Sequence, residues 1–388
     1  SSSAASDVYK RQERVLIAGR AVWFYAAKLV WPVELIAIYP RWQVDPGALW
    51  QWVFPGGVVL VVSALWGMRR RWGRGPVAAV GFFIITLVPV LGFIDFGFMA
   101  YSFVADRFQY LASLGLIALF CGAVARAAIQ VGSARRAILA SGISLLAAGL
   151  LILTWRQAAL YRNMETLFSH TLASNPLSWT AYNNLGAALA ERGDIEGAIP
   201  YYRRCLEIRP TDAEAHNNLA NALAAQGNMQ EAVEHYRTAL RIHPDNPEAH
   251  NNLANALIAQ GAVEAALQHY AEALRLRPSD PAVHFNLGVA LAHSGRNNEA
   301  IRHYREAIRL RPGDADLHYH LGNSLAQLGR FEEAAQCYSE ALRLRPEFAE
   351  AHYHLGRVCA RMGRVEEARL YFRETLKVQP DHLAARDQ

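Results

Sequence analysis

A period of 34 residues runs through the second half of this chain and limits its possible folds more than any other feature. Leu185, Leu219, Leu253, Leu287, Leu321 and Leu355 stand at that interval. The residue after each is small: Gly186, Ala220, Ala254, Gly288, Gly322 or Gly356. Farther along each unit come Ala198, Ala232, Ala266, Ala300, Ala334 and Ala368, then the aromatics Tyr202, Tyr236, Tyr270, Tyr304, Tyr338 and Phe372. Pro210, Pro244, Pro278, Pro312, Pro346 and Pro380 close the units. A unit this short cannot bury the apolar faces of two helices alone, so neighbouring units must stack to make a core.

The pattern resembles the tetratricopeptide repeat (TPR), in six consecutive units over residues 179–382, followed by a short tail at 383–388. Each anchor has a physical reason. The Gly/Ala positions let helix A approach its own helix B, the aromatic fills the gap between units, and the Pro ends helix B. One anchor departs from the pattern: the bulky residue three before each Leu is Tyr182, then His216, His250, His284, His318 and His352. Residues 156–178 read as one more helix B, with Phe168, Thr171 and Pro176 in register. Its helix A would be the apolar run before it. No Gly/Ser-rich stretch separates the two, which predicts a rigid junction.

Helix A lines the concave side of such superhelices. One position on it reads Asn184, Asn218, Asn252, Asn286, His320 and His354; a turn later stand Asn221, Asn255 and Asn323. The segment HNNLANAL, at 216–223 and 250–257, is similar to the repeats of the O-GlcNAc transferase superhelix, where an asparagine ladder holds an extended peptide. A side-chain amide carries both a donor and an acceptor and so matches a peptide group of any sequence. Peptide binding is the favoured reading of this row; the other is a ladder bonded only between repeats. Fourteen histidines invite a metal reading. Residues that recur once per repeat serve the repeat, and no acidic or Cys partner stands at metal spacing, so no metal is expected. The repeats contain no G-x-S-x-G, phosphate-binding glycine loop or H-E-x-x-H.

The first half differs in composition. Residues 1–160 carry a net charge of +9, and the remainder −4. The excess of Arg therefore belongs to an apolar region and implies helix orientation, not nucleic acid as a partner. Four runs, at 52–68, 76–94, 107–125 and 137–155, are long and apolar enough to predict membrane spans, with membrane lipid around them. A fifth helix, at 15–31, carries Arg20 and Lys28 and is expected at the interface. The expected fold class is all-α, a membrane helix bundle over 13–155 followed by the solenoid. Arg69, Arg70, Arg71 and Arg74 follow the first run, and Arg126, Arg135 and Arg136 the third. Both clusters should be cytoplasmic, which puts the repeats on the periplasmic or luminal side. The thiols of Cys121, Cys205, Cys337 and Cys359 form no C-x-x-C pair and read as free and packed. Residues 1–12 (SSSAASDVYKRQ) read as a foreign or disordered leader, and the rest as the C-terminal part of a longer protein.

The loop DFGFMAYSFVADRFQY at 95–110 places Asp106 and Arg107 at the start of a predicted span, among aromatics that include Tyr110. The pair either anchors a helix end or aims an arginine at a lipid phosphate. The segments IAGRAVWFYAAKLVWP, IYPRW, ADRFQYLASLG and TWRQAALYRNMETLF, followed by the repeats, resemble the transmembrane TPR O-mannosyltransferases and their bacterial relatives. That resemblance implies transfer of a sugar, mannose in most of the family, from a polyprenyl phosphate to Ser/Thr of a protein. It also implies that Asp106, Arg107 and Tyr110 face the donor phosphate. The family's catalytic carboxylates sit near the N-terminus of the full protein, upstream of this chain, so no transfer by the chain in isolation is expected. The alternative is a non-enzymatic membrane scaffold whose solenoid recruits a partner protein.

Overall fold

The computed structural model describes residues 11–30, 39, 42–88, 109–130, 133–160 and 162–381, and their regular structure is helical throughout. The chain divides into two units, Ser1–Pro210 and Thr211–Gln388.

In the first unit α1 (Arg11–Val30) packs against α2 (Val53–Gly67), which is extended at its start by the 3-10 turn Leu49–Trp52. The short α3 (Arg69–Trp72) leads into α4 (Gly75–Leu87), which pairs with α5 (Gln109–Gln130). Ala18, Ala21 and Tyr25 of α1 are buried with Tyr39, Phe83 and Leu87. The approach of α1 to α2 is close: a Cβ on Gly19 would stand 2.5 Å from the Pro55 nitrogen. The two cations that burden α1 are laid on aromatic faces. The Arg20 guanidinium lies 4.7 Å from the Trp42 ring centroid, and the Lys28 ammonium 5.5 Å from that of Tyr39. The expected interfacial helix is thus a packed member of the cluster.

The expectation of four spans requires correction. Among the described residues one helix, Leu49–Gly67, is long and apolar enough to cross a membrane. Its 19 residues reach about 28 Å, close to the hydrocarbon thickness of about 30 Å. Helix α4 has 13 residues, about 20 Å, and the remainder of the 76–94 run lies outside the described residues. In α5 (Gln109–Gln130) the described apolar stretch is Leu114–Arg126, and the side chains on either side of it lie outside the described residues. The 137–155 run falls inside α6 (Ser133–Leu160), many of whose side chains are outside the described set.

The first unit ends with α7 (Met164–Ser174), α8 (Trp179–Glu191) and α9 (Ile195–Ile208). Asn163 caps α7 by accepting from the Thr166 N–H. Phe168 of α7 is buried with Ala181 and Leu185 of α8, as a helix B packs on the next helix A. Arg192 and Glu165 pair across the same contact.

The second unit is five antiparallel hairpins. Their A and B helices are α10 (Ala213–Ala225) and α11 (Met229–Ile242), α12 (Pro247–Ala259) and α13 (Val263–Leu276), α14 (Pro281–His293) and α15 (Asn297–Leu310), α16 (Ala315–Gln327) and α17 (Phe331–Leu344), and α18 (Ala349–Arg361) and α19 (Val365–Val378). Each helix A ends on a glycine with positive φ, such as Gly227 at +81° and Gly295 at +75°. The Asn228 N–H then reaches back to the Leu223 carbonyl at 2.9 Å, and the Gly227 N–H to that of Ala224, satisfying carbonyls the helix leaves over. Asp212, Asn246, Asp280 and Asp314 cap the following helices, with Pro247 and Pro281 in first-turn positions. Ala266, Ala300 and Ala334 are fully buried where the two helices of a hairpin cross. The rings of Tyr304 and Tyr338 lie against Gly288 and Gly322. Each helix B packs on the next helix A, and successive A helices also touch, which puts the A faces on the inside of the curve. Among the four cysteines, Cys205 and Cys359 are buried and Cys337 is half-buried; Cys121 is exposed, contrary to its expected packing.

Candidate peptide-binding face

The helix-A row is built on hydrogen bonds from helix B. The Tyr236 hydroxyl donates to Asn221 Oδ1 at 2.6 Å, Tyr270 to Asn255 at 2.5 Å, and Tyr338 to Asn323 at 2.7 Å. Burial pushes the Tyr236 phenol up to about 12 and raises those of Tyr270 and Tyr338 as well, so all three remain donors at neutral pH. Asn252 Nδ2 also donates to Asn221 Oδ1, at 3.1 Å, across neighbouring repeats. Asn286 Nδ2 donates to Asn251 Oδ1 at 3.0 Å in the next step along the face.

These bonds turn the amides one way. Each acceptor oxygen is engaged internally, while the Nδ2 groups of Asn221 and Asn255, both on exposed residues, have no partner among the described residues. The face therefore offers oriented donors at Asn221 and Asn255, while Asn252 and Asn286 spend theirs on neighbouring amides; the sequence suggested a donor and an acceptor at each position. Of the two readings of the ladder, bonding between repeats is present, and it leaves one half of the amide available.

Asn218 and Asn252 are half-buried on α10 and α12, and Asn184 has a similar half-buried setting on α8 in the first unit. At the far end the row becomes aromatic. His320 meets Phe285 edge-on at 5.1 Å between centroids and Tyr304 at 6.0 Å; His354 meets Tyr319 at 5.6 Å and Tyr338 at 5.9 Å. Burial lowers the pKa of His320, which favours its neutral ring. A groove of about 590 Å³ opens there, lined in part by Tyr319, Asn323, Tyr338, His354, Arg357 and Arg361. Sequence reasoning missed both arginines, although they stand at the register positions of Asn323 and Gln327.

It also missed how the recurrent histidines are used. His216 and His235 approach Nδ1 to Nδ1 at 2.8 Å, His250 and His269 at 3.0 Å, and His284 and His303 at 3.1 Å. The Nε2 of His250 lies 2.9 Å from the Pro244 carbonyl and that of His284 3.0 Å from Pro278. A carbonyl only accepts, so these Nε2 atoms carry the proton and their Nδ1 atoms accept from the helix-B rings. Among the described residues no group of three His, Cys, Asp or Glu is placed to hold a metal ion. Asp106 and Arg107 lie outside the described residues, and only the backbone of Tyr110 is described, at the start of α5. Their assignment to a donor phosphate thus remains an implication of the family resemblance.

A curved stack of helical hairpins with a polar inner face defines the class of helical-repeat binding proteins. Models of the tetratricopeptide repeat match residues 209–247, 217–281, 251–315 and 319–382, another matches 291–342, and a TPR repeat model matches 186–227. Residues 186–382 therefore belong to the tetratricopeptide-repeat family. Among solved structures the chain is similar to PilW, a widely conserved type IV pilus biogenesis factor, at 17% identity and a TM-score of 0.50, covering 54% of this chain and 97% of that one. It is also similar to pilF of Pseudomonas aeruginosa, at 25% identity and a TM-score of 0.48, over 54% of this chain and 95% of that one. A third, YrrB, described as a TPR protein with an unusual peptide-binding site, is 23% identical with a TM-score of 0.44, over 48% of this chain and 96% of that one. No curated protein matches. All the matched family models are repeat models, so the expectation of glycosyl transfer gains no support from them.

Proposed function

We propose that this protein is a membrane-anchored scaffold whose repeats bind an extended segment of a partner protein on the helix-A face. The observation that carries the reading is the set of Tyr–Asn bonds, which aim the free amide donors of Asn221 and Asn255 outward, one repeat apart. Peptide carbonyls in an extended segment are the complementary acceptors, and donors held in place before binding lose little entropy on complex formation.

Helix Leu49–Gly67 supports the anchor. Trp50 near one end and Trp66 near the other are exposed, as interfacial aromatics are, and Arg69–Arg71 follow immediately. On this reading the Arg69–Arg74 segment is cytoplasmic. Arg126, Arg135 and Arg136 favour the cytoplasmic side as well, so a crossing by α6 would put the repeats on the periplasmic or luminal side, and no crossing would leave them with the Arg69–Arg74 segment. Protease protection of the repeats in sealed vesicles tests that side. The polyprenyl-phosphate donor implied by the mannosyltransferase resemblance is not needed for binding.

The binding reading is tested by changing Asn221 and Asn255 together to alanine in the full chain and measuring labelled peptides by fluorescence anisotropy. Two lost charge-neutral hydrogen bonds, at about 1 kcal/mol each, predict about a thirtyfold loss of affinity. Unchanged affinity with intact helicity would refute the donor-row reading.

A further inference from the structure

The inner face of the last hairpin carries two cations. From Arg275 to Arg369, twelve arginines pair with a carboxylate, as Arg305 does with Glu333 and Arg345 with Asp316. Among the described residues, Arg357 and Arg361 are the two in that span without such a partner, and both line the groove at the end of the amide row. They stand four residues apart on α18 and so share one helix face. Arg357 continues the register of Asn221, Asn255 and Asn323, so the same inner-face position changes from an amide to a cation. The rest of the groove is aromatic: Tyr319, Tyr338 and His354 lie within 6 Å of one another, and Phe331 contributes a further ring. The Arg357 guanidinium is 5.7 Å from the Tyr353 ring centroid, which holds its plane near the groove without neutralising it.

We infer that the segment bound on this face is acidic at its anchor, with an aspartate or glutamate beside an aromatic or proline ring, the carboxylate meeting Arg357 and Arg361 and the ring lying against the half-buried Tyr319 and His354. This rests on the reading of the helix-A face as a peptide site and adds the chemistry of its ligand. Two guanidinium groups on one face give a carboxylate charge-assisted bonds from both sides. A flat ring or a proline fits an aromatic wall at small entropic cost. A basic segment would face two uncompensated cations and is disfavoured.

The test is selection of random displayed decapeptides on the purified full chain in detergent, followed by anisotropy on the selected sequences. Aspartate or glutamate next to Phe, Tyr, Trp or Pro is the expected enrichment. Changing that acid to its amide should weaken binding about tenfold. In the Arg357→Gln/Arg361→Gln chain, whose changes fall on exposed helix positions and should leave the far-ultraviolet spectrum intact, the acidic peptide and its amide form should bind alike. Peptides with a free terminus and no internal acid, compared with terminally amidated peptides that keep the acid, tell a main-chain carboxylate from a side-chain one; preference for the free terminus alone overturns the side-chain assignment. Selected peptides without acidic enrichment, or an acidic preference that survives in the double variant, overturn the inference while leaving peptide binding standing. Failure to select any peptide overturns both.

Discussion

Acidification should loosen α10–α15 more than α17–α19, because the first three hairpins of the second unit carry His–His pairs and the last two do not; burial of His320, which lowers its pKa, adds a loss at α16. At the same two register positions the last hairpins carry His318 and Cys337, and His352 and Tyr371. In each pair one proton sits between two Nδ1 atoms about 3 Å apart. The ring centroids are 5.1–5.4 Å apart, so two imidazolium rings would repel by about 3 kcal/mol at an effective dielectric of about 20. Burial first, then the facing His250, holds the pKa of His269 below its ordinary value; Arg237 adds to this and Glu272 opposes it. His303 is lowered likewise by burial and His284, with Arg302 adding and Glu299 opposing. With the folded pKa depressed, the unfolded hairpin binds more protons. Stability is therefore complete above the ordinary histidine value of about 6.5 and falls as the pH drops through the folded pKa. A deficit of one proton per pair costs up to about 1.4 kcal/mol per pH unit, or about tenfold in the local opening constant. Hydrogen exchange read by mass spectrometry, with α17–α19 as the internal reference for intrinsic exchange, measures this directly. Equal acceleration in all five hairpins, or none, would refute the reasoning. Substituting His269 and His303 by glutamine should abolish the difference in their two hairpins.

Two further outcomes follow from packing and burial. Gly19→Ala places a methyl against the backbone of Pro55, which cannot yield as a side chain does; it should cost about 1–3 kcal/mol at the α1–α2 contact, read as a lower thermal midpoint of the purified chain in detergent. The Cys337 thiol, pushed up to about 11 by burial, is almost wholly protonated at neutral pH, so it should resist maleimide until the repeats are unfolded in denaturant, as mapped by mass spectrometry.

The repeat was legible because its signal is a fixed interval, repeated often enough to place both helices and the turn of each hairpin. The face was partly legible. The asparagines stood out by register, yet the orientation of their amides depends on Tyr236, Tyr270 and Tyr338, fifteen residues away on another helix. The histidine pairs were hidden for the same reason. Both members recur in the sequence, but nothing local says that two positions nineteen residues apart face each other; their joint appearance in the same three repeats was the available signal. Arg357 and Arg361 could be recognised as a pair only after the lining of the groove was known. In the first half, apolar composition alone could not indicate that α1 would fold Arg20 and Lys28 onto aromatic rings.

The αL glycines and capping residues have a consequence for biosynthesis. Each of the first four hairpins carries its own stop at the glycine and its own start at Asp212, Asn246, Asp280 or Asp314, so the contacts that close it lie within one period of sequence. A chain with such local contacts need not wait for its C-terminus to be made. As ribosomes extend the protein, each repeat can close soon after it emerges and offer its helix B as a template for the next helix A. The binding face is then assembled in order of translation, and the end that holds Arg357 and Arg361 is completed last.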